Sequence, residues 1–375
     1  MRASIELGIR HLLYNRPRLL AMSASVAVGV VIVFVEMGLL LGVLDSQALI
    51  ATLVRGDLVV MNIARVDLHR WDKIDAIRLA QIAAIPGVAR VMPVYMDHVN
   101  LRDAQDKRVR RIIVYAFSPD DMPLNVGDPV RVSAALKMSR SFMFDRLSRP
   151  IFGDIKPGKS IEIDKFPLLV SGVVTMGVDI VNDGNIVMSA GDWLARSPAS
   201  KPIMGVIRIA PGADADKVRN EILARLPPDI TVLTPNELVE RENVSTLETT
   251  PIGILFTIGM IAGFMIGTIN CYQVLYTEVA DNLPQYATLK AMGFSDEFLR
   301  TTVLAQAALL SGTGFAVGLT ISILADGYLA FVTLLPIKIH FVSASLVCLA
   351  TIALCILAGW IAIHRVQAAD PASLY

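Results

Sequence analysis

Residues 153–160 read Gly153-Asp-Ile-Lys-Pro-Gly158-Lys159-Ser160, a formal match to the phosphate-binding pattern G-x-x-x-x-G-K-[ST]. That pattern works when it leaves a buried strand and enters a helix, whose first amides hold the phosphates. Here the preceding Ser148-Arg-Pro-Ile-Phe is a poor strand, and Ile161-Glu-Ile-Asp alternates like a strand where a helix is required. Gly153, Gly158, Lys159 and Ser160 therefore read as a β-turn, and no cofactor is expected on this chain. The five histidines (His11, His69, His98, His340, His364) are scattered over separate segments and suggest neither a zinc site nor a nucleophilic triad. Cys271, Cys348 and Cys355 sit in apolar runs and read as small buried hydrophobes. No metal is expected.

Two further patterns lie in apolar sequence. Glu36 stands about 17 residues into the first long apolar run, or about 26 Å at 1.5 Å per residue. That depth puts it near the far headgroups, where a structural or interfacial role is favoured over a proton relay. Gly259, Gly263 and Gly267 make two overlapping G-x-x-x-G steps, and Gly314 and Gly318 repeat the spacing. Such a stripe lets another helix approach closely. It serves either a dimer or moving-helix interface, or packing within the chain.

The elements that must position these residues are of two materials. The 207 residues from Asp45 to Pro251 hold 26 Lys/Arg and 26 Asp/Glu, the charge density of a soluble domain. The other 168 residues hold 8 and 8. Formal net charge is zero, so the basic excess typical of a nucleic-acid partner is absent.

Four apolar runs are long enough to cross a bilayer: 19–44, 252–275, 303–328 and 341–363. The first is too long for a cleaved signal, and three more follow. Arg2, Arg10, Arg16, Arg18, Lys290, Arg300 and Arg365 flank one side and Lys338 the other. This bias places both termini and the 276–302 loop in the cytoplasm, and the 329–340 loop and residues 45–251 outside. Residues 1–18 hold an amphipathic helix with Ile5, Ile9, Leu12 and Leu13 on one face, expected to lie on the inner membrane surface. Residues 364–375 form a cytoplasmic tail.

Inside 45–251 one plan occurs twice. A strand (57–62), helix (72–84) and strand (88–95) are matched by a strand (205–210), helix (213–226) and strand (230–234). Two β-α-β units around an insertion predict a split, ferredoxin-like layer. The insertion, about 118–200, reads as β-rich, with a basic cluster (Arg108, Arg110, Arg111) before it as a solvated edge. Residues 236–249 are expected to form a helix running straight into the second span. The fold class is thus an α-helical membrane protein with four transmembrane helices plus a large α+β extracytoplasmic domain between helices 1 and 2.

The 276–302 loop carries a resemblance. Tyr276-Thr-Glu-Val…Leu283-Pro284-Gln-Tyr286-Ala287-Thr-Leu289-Lys290-Ala291-Met292-Gly293-Phe-Ser-Asp-Glu-Phe-Leu-Arg300 resembles the cytoplasmic loop of FtsX/MacB-type ABC permeases, and Arg365-Val-Gln-Ala-Ala-Asp-Pro371 resembles that family's ending. The Leu-Pro-x-Tyr-Ala-Thr-Leu-Lys-Ala-Met-Gly wording is most similar to the DevC branch, although Gln285 stands where an acidic residue is expected.

The resemblance implies the permease subunit of an ABC-type exporter, itself non-catalytic. It would form a homodimer and bind a separate cytoplasmic ATPase that holds ATP and Mg. The coupling contact would fall on Pro284, Tyr286, Ala287, Leu289, Lys290, Ala291, Met292 and Gly293. ATP hydrolysis there would drive extracytoplasmic conformational change, or mechanotransmission. That change would extrude a lipid-like or other substrate with a periplasmic adaptor and an outer-membrane duct. Alternatives within the family are FtsX-like signalling to a cell-wall hydrolase and release of lipoproteins. A membrane-anchored nucleotide hydrolase using Lys159 is the enzymatic rival. An inner-membrane, lipid-embedded location follows, with no nucleic-acid partner.

Overall fold

The computed structural model describes residues 2–14, 16–65, 68, 72–102 and 108–368; the side chains of 2–4, 7, 11, 286, 287, 290, 299 and 365–368 lie outside the description. The chain divides into two compact units. One holds Met1–Gly42, Ile252–Thr333 and Ile337–Tyr375, the other Val43–Pro251 with Leu334–Pro336. The chain opens with helix α1 (Arg2–Tyr14), then α2 (Arg16–Gln47). Pro17 stands in the first turn of α2, where its missing N–H breaks no helical bond, so it starts that helix as well as ending the α1 pattern.

The second unit contains the expected split layer. Strands β1 (Leu58–Asn62), β2 (Val88–Arg102), β8 (Met204–Ile209) and β9 (Ile230–Leu233) run antiparallel in the order β9-β1-β8-β2. Helices α4 (Ala76–Ala83) and α7 (Ala215–Arg225) cover one face. Leu79 and Ile82 of α4 and Val218 and Ile222 of α7 bury against Leu58, Val60, Ile207 and Val232. Asp214 caps α7 through the amides of Asp216 and Lys217. These are the ferredoxin-like connections that the repeated β-α-β plan predicts.

The insertion closes on itself. It comprises β3 (Val109–Phe117), helix α5 (Pro129–Leu136), β4 (Ser141–Asp145), β5 (Ser160–Ile163), β6 (Phe166–Val174), β7 (Asn185–Ser189) and helix α6 (Ala190–Arg196). The outer half of β2 pairs with both β3 and β5. From β3 the ladder continues through β7, β4 and β6 back to β5, which makes a ring of strands. Val99, Ile112, Val114, Phe142, Leu168 and Ile186 fill its interior. The other face of β3, with Ile113, Tyr115 and Phe117, joins a layer that includes Val59, Met92, Val206 and Leu238. Tyr115 is buried there, and desolvation pushes its phenol above the usual range.

Asp145, at the end of β4, is fully buried. Its carboxylate accepts the amides of Leu147 (3.1 Å), Met176 (3.0 Å) and Gly177 (2.8 Å) and the Asn185 side-chain amide (3.1 Å). It thereby fixes the turn after β6 to the barrel. Helix α3 (Leu49–Thr52) and helix α8 (Pro235–Thr249) complete the unit. α8 starts with a reciprocal cap: Thr234 Oγ1 accepts the Glu237 amide at 3.2 Å, and Glu237 accepts the Thr234 amide at 2.7 Å. That backbone bond, helped by Arg219, holds the Glu237 carboxyl below its ordinary range. The cap is therefore complete at neutral pH and is lost as pH falls through the lowered value.

α8 does not run straight on into the next helix. Thr250 is extended (φ −114°, ψ 149°) because Pro251 disfavours helical geometry in the residue before it. After the break come α9 (Pro251–Asp281), α10 (Leu283–Ala291), α11 (Asp296–Thr333) and α12 (Phe341–Ala368). α2, α9, α11 and α12 are long and apolar enough to cross a membrane. α1 packs one face against the other helices of its unit. Leu12 is 2% exposed among Met22, Leu275, Ala307 and Leu310, whereas Ile5 and Leu13 are 38% and 49% exposed. A methyl on Gly8 would fall 2.6 Å from the Thr302 carbonyl oxygen of α11. Gly8 allows backbone contact, so α1 packs on α11 through Gly8 and Leu12.

Replacing Asp145 with alanine strands several buried amides at about 1–3 kcal/mol each. We expect Asp145→Ala to lower the thermal midpoint of the purified chain's β-rich unit by several degrees, read by circular dichroism in detergent.

Candidate functional site

Helix α2 is held on two sides by glycine seams. On one side stands α9. A methyl on Gly267 would fall 3.4 Å from the Gly29 Cα, and one on Gly29 would fall 2.5 Å from the Gly267 Cα, so backbone meets backbone. One turn on, Gly263 faces Val33 and Ile32. One further turn, Gly259 lies under the Glu36 carboxyl, whose carbon is 2.5 Å from where a Cβ would be. All three stripe glycines thus face α2 of the same chain. Asn270 of α9 adds a hydrogen bond to the Ser25 carbonyl (3.1 Å). On the other side stands α11, where Gly314 faces Val26 and Gly318 faces Val30. The hydroxyls of Ser23 and Thr313 join this seam at 2.8 Å.

The α2–α9 seam ends in charge. Arg18 lies 3.0 Å from the Glu278 Oε2 and 2.7 Å from the Asp281 Oδ2. Glu278 is 1% exposed, and its Oε1 accepts the Asn282 side-chain amide at 3.0 Å. This network therefore ties the start of α2 to the last turn of α9, directly before α10. Composition and spacing did not single out Glu278, which stood unweighted inside the Tyr276-Thr-Glu-Val wording.

α10 carries the residues expected from the family resemblance to make the coupling contact. Pro284 stands in its first turn and is exposed, Leu289 is half-buried, and Ala291 and Met292 are exposed, Met292 by 64%. The side chains of Tyr286, Ala287 and Lys290 lie outside the described residues. Gly293 has φ +94°. The amide of Phe294 reaches back to the Leu289 carbonyl at 3.2 Å, the cap that a glycine in this conformation allows. Phe294, 40% exposed and stacked on Phe298 at 4.7 Å, adds an aromatic to the tip. Ser295 then caps α11 through the Phe298 amide (3.3 Å). The result is a short helix with a fixed stop, displaying apolar side chains beside an ion-paired helix end.

The phosphate-loop match takes a different form. Gly153 and Gly158 both have positive φ (+75° and +90°), and Ser160 opens strand β5. The Gly158 amide is spent on the Val170 carbonyl at 2.8 Å. The helix needed to aim free amides at a phosphate is not built there. Glu36 is half-buried against Gly259. Asp326 is a second acidic residue within the apolar helices, buried in α11.

Removing Arg18 takes away the guanidinium 3.0 Å from the buried Glu278 carboxylate. We expect Arg18→Ala to destabilise the helical unit by about 3 kcal/mol, the low end for a buried pair because Arg18 is partly exposed. Adding Glu278→Leu should restore most of that loss, as read by thermal melts in detergent.

Residues 252–371 match the FtsX-like permease C-terminal family and residues 19–225 the MacB-like periplasmic core domain. Among solved structures the chain is similar to the periplasmic region of MacB from Actinobacillus actinomycetemcomitans, at 13% identity and TM-score 0.38, covering 53% of this chain and 95% of that one. It is also similar to the extracellular domain of the noncanonic ABC-type transporter YknZ from Gram-positive bacteria, at 10% identity and TM-score 0.35, covering 48% and 100%. No curated protein matches it. With one family match over more than half of the chain, residues 19–225, and a second over its last three long helices, the chain belongs to the FtsX/MacB-type family of ABC transporter permeases.

Proposed function

We propose that this chain is the membrane subunit of an ABC-type exporter that couples a separate cytoplasmic ATPase to shape change outside the membrane. The observation that carries the reading is the α10 tip. Exposed Met292 and Phe294 sit on a capped helix next to the Arg18–Glu278 tie. An ATPase seated on residues 284–293 would push on the junction where α2 and α9 are fastened. Because the glycine seam and the ion pair join those helices, they would move as one body. In a homodimer, the two copies would bring two ATPases together, with ATP and Mg held in the partner chains.

The Lys/Arg bias supports termini and a 276–302 loop on the cytoplasmic side, with residues 45–251 outside, in what we take to be an inner membrane. There the external unit would act on a lipid-like or other substrate together with a periplasmic adaptor and an outer-membrane duct. The balanced charge of that unit, 26 basic against 26 acidic residues, favours no substrate charge.

The test is co-purification from native membranes in mild detergent. The wild-type chain should bring down an ABC ATPase and an adaptor, and Leu289→Asp or Met292→Asp should lose the ATPase and export while inserting normally. Retention of both activities in those variants would sink the docking assignment. Recovery of a cell-wall hydrolase in place of an adaptor would replace export with signalling.

A further inference from the structure

Asp326 lies near the end of α11 remote from α10. It is 4% exposed, and neither carboxyl oxygen has a hydrogen-bond partner. Its carboxyl is pressed against the α2 backbone. A methyl on Gly38 would fall 2.9 Å from Oδ2 and 3.1 Å from the Ile337 side chain. Gly42, one turn along α2, is closed over by Ile337 in the same way. The residue thus sits in a pocket built to exclude water, where only a glycine on α2 leaves room for it.

Among the described residues no countercharge bonds to it. The charged groups of α2 are Arg16 and Arg18 at its start, more than about five turns from Gly38, and Glu36 and Asp45; Lys338 and His340 follow α11. None of them bonds to Asp326. Glu36 is two residues from Gly38, about 200° round the helix, and rests on Gly259 instead. An ionised carboxylate without partner or water is strongly disfavoured, whereas its neutral form is tolerated.

We propose that Asp326 is a proton-binding site in the α2–α11 seam: protonated, it lets α11 close on Gly38, and ionised, it parts the two helices. The ligand is the proton itself, taken up at one carboxyl oxygen on closure and released on opening. The linkage has a definite sign. The closed seam binds one more proton than the open one, so closure is complete at low pH. It weakens as pH rises, by at most tenfold per pH unit, because a single proton is exchanged. This inference is separate from ATPase docking, since it concerns the opposite end of α11 and needs no partner chain.

The experiment uses the full chain in lipid bilayers, with aspartate carboxyls isotopically labelled and read by infrared spectroscopy. Wild type should show the carbonyl stretch of a protonated aspartic acid at mildly acidic pH, bleaching as pH is raised, and Asp326→Asn should lack it. Amide hydrogen exchange of residues 320–333, corrected for intrinsic rates, should rise with pH in wild type and stay flat in Asp326→Asn. Gly38→Ala, which drives a methyl into the carboxyl, should lose the protonated band at mildly acidic pH with the chain still folded. If Asp326→Asn does not insert, the wild-type titration and Gly38→Ala carry the test. A wild type without the band, a band that survives in Asp326→Asn, or equal exchange profiles in the two proteins would overturn the proposal.

Discussion

The helical unit depends on how closely backbones approach along α2. Apolar side chains gain little by leaving lipid for another apolar surface, so helices in a bilayer must recover their packing energy through close contact. At Gly29 and Gly267 that contact is between main chains, and the adjoining Gly263, Gly314 and Gly318 extend it to valines and isoleucines on both sides. α2 is accordingly the most buried of the four long helices, with half of its apolar window inside the structure. Arg18 and Asp326 stand at the two ends of these seams, one paired and one bare. The polar chemistry of the unit is therefore concentrated where α2 meets its neighbours.

Much of this was legible in the sequence, for identifiable reasons. The four apolar runs and the repeated β-α-β plan are local signals, set by composition and periodicity over a dozen residues. The ferredoxin-like layer followed from them. The barrel did not, because its closure depends on the parallel pairings of β3 with β7 and β4 with β6, which join strands far apart in the chain. The short helices α5 and α6 were hidden in a segment read as β-rich. The break at Thr250 was readable from Pro251 but was overridden by the polar helix pattern before it.

The candidate site was legible to a different degree. Residues 284–293 were picked out by family wording, and periodicity alone would have passed them over. Their structural support, Arg18 against Glu278, joins positions far apart in sequence and has no local signature. Gly8 illustrates the same limit: its contact with the Thr302 carbonyl of α11 rests on a missing side chain, which has no periodic signature. Asp326 stood inside the third apolar run and was masked by its closeness to the run's end.

Strand β2 is 15 residues long, about 50 Å at strand spacing, and belongs to two sheets at once. Its first half is a rung of the split layer, and its second half is a stave of the barrel. No loop separates these roles. A turn of the split layer about its own axis is therefore passed into the barrel as shear along one continuous backbone. The β-rich unit thus has one spine: its two modules are staved to the same strand.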